Sequence, residues 1–147
     1  MVFELKEVNG DLFSSPETSS LAHCVGADLL MGAGIAVMFK KKFGKVDELK
    51  NQNVETGGVA VLKDAERFIY YLVTKGKSRF FCKPTYEALE KSLEAMRSHM
   101  LENGIKELCV PQIGCGIDGM EWPKVEEKLR KIFGNDDIQI TVYIYVP

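Results

Sequence analysis

Lys83 stands between an aromatic run, Phe80-Phe81-Cys82, and Pro84-Thr85, where an amphipathic helix is set to begin. A helix start repels positive charge and apolar neighbours disfavour it further, so both effects push a lysine toward its neutral, nucleophilic form. At the ordinary lysine pKa only about one molecule in 2,500 is neutral at pH 7, and a depression of about three units raises that share to about 30%. Most lysines at helix starts, however, simply reach into water. Asp118 closes the stretch Gln112-Ile113-Gly114-Cys115-Gly116-Ile117-Asp118, ahead of the helix signal at Trp122-Pro123. It therefore lies inside a loop, where its carboxylate either faces what the loop holds or serves as an ordinary cap or turn residue.

Two glycine loops must position such groups. Met31-Gly32-Ala33-Gly34-Ile35-Ala36 and the loop ending at Asp118 are each entered from an apolar stretch that reads as strand and followed by a helical pattern. Without a Cβ the backbone brings successive N–H groups close to an anion, and a helix start adds its positive end. Either loop alone is explained by a tight strand-to-helix turn. As a pair, half the chain apart, they read as opposite walls of one phosphate-holding cleft across the ends of a sheet. Neither is the dinucleotide fingerprint, because the third glycine is missing after Gly34, and neither is followed by the Gly-Lys-Ser/Thr of a P-loop. Nicotinamide redox chemistry and nucleoside triphosphate hydrolysis therefore fall back.

Other residues invite weaker readings. Cys115 with His23 sketches a cysteine hydrolase, although a small apolar cysteine inside a loop explains Cys115 as well. Asp11, after Asn9-Gly10, is either a turn residue or an acceptor for the exocyclic amine of a bound base.

The bulk properties set limits. The chain has 147 residues, 46% of them hydrophobic, enough for one domain over residues 1–147 with a core that needs no disulfide or metal. A net charge of −2 and a pI near 5.8 argue against non-specific nucleic-acid binding. The one basic run, Lys40-Lys41-Lys42 with Lys45, reads as the solvated end of an amphipathic helix. No apolar window reaches membrane-spanning length and the N-terminus lacks a leader pattern, so a soluble intracellular protein is expected. Four cysteines without a CxxC pair, and only His23 and His99 beside them, give no metal site.

The elements follow from periodicity. Phe3, Leu5 and Val8 make a first strand; Leu21–Val25 makes a second, before the first glycine loop. Ile35, Met38, Phe39 and Phe43 make a helix stopped by Gly44. Val59–Leu62 and Phe68–Val73 read as an adjacent strand pair. Tyr86, Leu89, Leu93, Met96 and Met100 form one stripe of a helix that starts at Pro84 or Thr85 and runs to Asn103-Gly104. A strand from Ile105 to Ile113 enters the second loop. A helix with Val125, Leu129, Ile132 and Phe133 buried follows, and the alternation from Ile138 to Val146 closes the chain as a strand.

These stretches carry a family resemblance. Gly10-Asp11-Leu12-Phe13, Leu21-Ala22-His23-Cys24 with the first glycine loop, and Pro111 through Asp118 resemble a macrodomain over essentially the whole chain. Lys83-Pro84-Thr85-Tyr86-Glu87 with Gly116-Ile117-Asp118 is similar to the terminal ADP-ribose protein glycohydrolase branch. The resemblance implies a three-layer α/β/α fold with a mixed, mostly parallel sheet, and ADP-ribose lying across the strand ends. Asp11 would take the adenine amine beside the Leu12 backbone, with Tyr145 as a further adenine-side contact. Gly32, Ala33, Gly34, Ile35, Gln112, Ile113, Gly114, Cys115, Gly116 and Ile117 would hold the diphosphate and distal ribose. The resemblance matches Lys83 to the lysine that attacks C1″ and Asp118 to the acid and base.

The implied reaction is hydrolysis of the ester between ADP-ribose and glutamate or aspartate on a protein, and of O-acyl-ADP-ribose, without metal or redox cofactor. The implied setting is a monomer in the nucleus or cytoplasm acting on ADP-ribosylated proteins in the DNA damage response. One departure is that Val25-Gly26-Ala27-Asp28-Leu29-Leu30 is more apolar than the family's usual approach to the first loop. Two other readings stay open on the same fold, a non-catalytic ADP-ribose reader and an ADP-ribose 1″-phosphate phosphatase.

Overall fold

Six strands assemble in the order β1-β6-β5-β2-β4-β3, where β1 is Glu4–Asn9, β2 Ser20–Gly26, β3 Val59–Asp64, β4 Arg67–Lys75, β5 Glu107–Val110 and β6 Gln139–Ile144. The structure, a computed structural model, describes residues 2–76, 83–115 and 118–145. Every strand pair is parallel except β3 with β4, which form the antiparallel edge. The central strands are buried on both faces, which explains why Phe68–Val73 reads as a continuous apolar run rather than an alternation.

Alternate residues of β4 feed two cores. Tyr70 and Leu72 pack with the long helix α3 (Tyr86–Glu102) and with α4 (Trp122–Phe133), through Leu89, Leu93, Met96, Val125 and Leu129. Ile69, Tyr71 and Val73 face the other way, against Phe39 of α1 (Ile35–Phe43) and Leu49 of α2 (Val46–Lys50). The result is the three-layer arrangement with a mixed, mostly parallel sheet.

The helix ends follow local chemistry. Thr85 caps α3 by accepting the Ala88 N–H at 3.0 Å, and Pro123 sits in the first turn of α4. Two elements go beyond the sequence reading, the five-residue α2 and a 3₁₀ turn at Leu12–Ser14, both too short to show a period. The strand expected from Ile105 to Ile113 is only Glu107–Val110, because the Ile105 N–H bonds to Met100 O at the end of α3 and Ile113 lies in the following turn. In the other direction, β4 runs past Val73 to Lys75, paired with Gly26 of β2.

Candidate active site

Parallel strands end on one side of the sheet, so the segments after β1, β6, β5 and β2 and the last residue of β4 form a row. Asp11 and Tyr145 stand at one end of that row, Lys75 toward the other. Between them a cleft of about 540 Å³ opens, walled by both glycine loops.

The first loop is fixed by its backbone. Gly34 takes φ +64° and forms the N-cap of α1, a conformation a side chain rarely adopts. With no capping side chain and no acidic residue in the first turn, the leading N–H groups of α1 are left for whatever enters the cleft. Upstream, Leu29 and Met31 are left-handed yet buried, and Leu30 between them is turned outward. The Leu30 carbonyl accepts from Lys40 Nζ at 3.2 Å, tying the loop to α1. Gly32, Ala33, Gly34 and Ile35 all line the cleft.

In the second loop, Gly114 adopts φ +74° and its carbonyl accepts the Met120 N–H at 2.8 Å. Ile113, Gly114, Cys115 and Asp118 line the cleft. Gly116 and Ile117 lie outside the described residues. Asp118 is not a cap, since Glu121 takes that position on α4.

The decisive contact was not anticipated from the sequence. Lys75 Nζ lies 2.9 Å from Asp118 Oδ1, with side-chain exposures of only 14% and 17%. Lys83 also lines the cleft but is exposed, and the ion pair of Asp118 is made with Lys75. The available signal was Thr74-Lys75 at the C-terminal end of a buried parallel strand, where α/β proteins place their ligands.

The remaining sites separate. Asp11 Oδ1 accepts the Phe13 N–H at 2.9 Å, so the carboxylate shapes the 3₁₀ turn after β1. Leu12 is buried in the core, Gln112 follows β5 partly buried, and Tyr145 is exposed past β6; none of these four lines the cleft itself. Thiolate chemistry is disfavoured. Burial and then the Asp118 carboxylate push the Cys24 thiol up to about 12, and burial also raises Cys115, which donates to Ile113 O at 3.6 Å. His23, the base a cysteine hydrolase would need, is stacked on Phe39 with ring centroids 3.7 Å apart, and burial lowers it to about 3.

Residues 22–129 match the Macro domain family. The chain belongs to the macrodomain family. Among its relatives, this macrodomain is 57% identical over 136 residues to the human (Homo sapiens) protein named ADP-ribose glycohydrolase OARD1, covering 92% of this chain and 88% of the relative. The macrodomain of Thermus aquaticus DarG superposes with a TM-score of 0.82 at 22% identity, over 99% of both chains. Thermosipho africanus DarTG, solved in complex with ADP-ribose, gives a TM-score of 0.80 at 25% identity over 96% of the macrodomain and 41% of that chain.

Proposed function

We propose that this macrodomain hydrolyses the ester joining ADP-ribose to glutamate or aspartate on proteins, and deacylates O-acyl-ADP-ribose, with Lys75 as nucleophile and Asp118 as acid and base. The observation that carries the reading is the Lys75–Asp118 pair at 2.9 Å inside the cleft. The name of the human relative, an ADP-ribose glycohydrolase, supports the activity. The glycine loops supply the N–H groups and helix start suited to a diphosphate, and the strand-end row extends toward Asp11, whose second carboxylate oxygen suits the amine of a base.

The chemistry balances with this chain's own groups. Asp118 takes a proton from the Lys75 ammonium, and the freed amine attacks C1″ of the distal ribose while the C1″–O ester bond breaks and the carboxylate of the modified protein leaves. The ribose ring opens to an imine on Nζ, its ring oxygen gaining the proton. Water then adds to C1″, Asp118 moves the protons, and ADP-ribose departs as the Lys75 amine returns. Lys83, exposed at the edge of the cleft, is a cation for the entering substrate in this reading.

Single-turnover assays on glutamate-linked ADP-ribosylated protein test it. Lys75→Ala is expected to abolish release and the adduct that borohydride traps on the lysine, while Lys83→Ala keeps both. The reverse pattern would make Lys83 the nucleophile, and tight binding without release by the unaltered protein would leave a reader.

A further inference from the structure

Among the described residues, six large apolar side chains stand exposed, and three of them, Leu30, Ile35 and Met38, gather at the cleft's lip. Leu30 and Ile35 line the cleft, and Met38 follows one helical turn along α1 from Ile35. Leu30 is 53% exposed between two buried neighbours, Leu29 and Met31, whose φ angles are +52° and +47°. Left-handed backbone costs a bulky residue about 1 kcal/mol or more. A loop that carries this strain twice and still directs a leucine outward displays that leucine.

Beyond the apolar residues the same helix turns basic. Ile35, Met38 and Lys42 recur on one face, Lys41 borders it, and α1 contains no Asp or Glu. Cations in a last turn suit the helix dipole, which accounts for their sign but not for the apolar lip that runs into them.

We propose that this lip and its lysines seat the polypeptide around the ADP-ribosylated residue, and that the polypeptide is acidic, with an apolar side chain close to the modified position. The inference rests on the hydrolase reading above. An esterified glutamate has lost its own charge, so charge recognition falls to the neighbouring residues of the substrate, and Lys41 and Lys42 complement carboxylates there, while Lys40 holds the Leu30 carbonyl. Continuity with the cleft places this surface where a chain leaving the bound nucleotide meets the protein.

Two substrates sharing the same nucleotide test it: O-acetyl-ADP-ribose, which has no polypeptide, and an acidic peptide carrying ADP-ribose on a central glutamate. Met38→Ser and the double variant Lys41→Glu/Lys42→Glu are expected to raise KM for the peptide about five- to twentyfold while leaving O-acetyl-ADP-ribose within twofold. Exchanging the peptide's flanking acids for lysines should weaken it on the unaltered protein and favour it on the double variant. Equal changes on both substrates, or no change on the peptide, overturn the inference. So does tighter binding of an unmodified single-stranded oligonucleotide than of the acidic peptide at this face. If the unaltered protein turns over neither substrate, the hydrolase reading fails separately, and calorimetry of the ADP-ribosylated peptide against free ADP-ribose reads the same variants: loss confined to the peptide supports the surface, and no selective loss overturns it.

Discussion

The ammonium of Lys75 and the carboxylate of Asp118 meet at 2.9 Å across 43 positions of sequence. Strand pairing fixes one side: Lys75 ends β4, and its carbonyl accepts the Ala27 N–H at 2.9 Å. Loop closure fixes the other, through the Met120 N–H on Gly114 O. Removal from bulk water strengthens the attraction between the charges but also costs each its hydration, so such a pair is a weak reason for stability. In the proposed reaction its value is the short path for a proton between Lys75 and Asp118.

Asp118→Asn keeps the shape and removes the proton acceptor. Release of ADP-ribose should fall by about 10²- to 10⁴-fold, with affinity for free ADP-ribose changed only several-fold. Lys75 would then be left partly buried without its counter-charge, so the denaturant midpoint should drop by the equivalent of about 1–3 kcal/mol. Single-turnover kinetics and urea unfolding read the two effects separately. A variant that retains full turnover would remove Asp118 from the chemistry.

Gly114→Ala should damage the second loop for two separable reasons. Its φ of +74° disfavours any side chain, and an added Cβ would stand 2.5 Å from Met120 Sδ. The backbone part costs about 1 kcal/mol and the overpacking about 1–3 kcal/mol more. Because Met120 is itself part of the core, the steric part is read from the coupling between Gly114→Ala and Met120→Ala, with thermal melts of both single variants and the double variant. Strict additivity of the two single variants would place the whole cost of Gly114→Ala in the backbone.

Much of this architecture is legible in the sequence because its signals are local. The stripe from Tyr86 to Met100 appears as α3, the terminal alternation as β6, and both glycine loops line one cleft. What escapes is what depends on partners. A strand buried on both faces shows no alternation, so its apolar run conceals its end. Thr74 and Lys75 look like the start of a loop until Gly26 of β2 pairs with Lys75. The helix start beside Lys83 is visible in the sequence, whereas the pairing of the Asp118 carboxylate with Lys75 is not. Nothing in the sequence near Asp118 announces a residue 43 positions away.

Tyr86 emerges as a positioning residue. Its hydroxyl accepts the Glu121 N–H at 2.9 Å, fastening the start of α4, and thus the segment that follows Asp118, to the start of α3. Tyr86→Phe removes only that acceptor. A lost hydrogen bond of about 0.5–1.5 kcal/mol corresponds to a kcat lowered roughly two- to tenfold if it is felt at Asp118. KM should stay unchanged, because the backbone N–H groups proposed to hold the diphosphate are elsewhere. A rise in KM with kcat intact would assign Tyr86 to substrate binding instead.

His23 sets how the protein answers acid. Its ring is buried against Phe39 and Tyr71, neither nitrogen has a hydrogen-bond partner among the described residues, and desolvation lowers its pKa from 6.5 to about 3. Below pH 6.5 the unfolded chain therefore takes up a proton that the folded protein refuses, so the stability contribution is complete above 6.5 and is lost as pH falls toward 3. Between pH 6.5 and 5 this term removes about 1.5 kcal/mol. His99, lowered mainly by burial, adds in the same direction, whereas the Asp136 carboxyl, held low by Arg97, contributes only in stronger acid. His23→Phe preserves the stack and removes both unpartnered nitrogens. It should match or exceed the unaltered protein at pH 7 and lose about 2 kcal/mol less on going to pH 5, measured by urea midpoints at the two pH values. An unchanged acid loss would show that His23 reaches water or a partner when the protein is in solution.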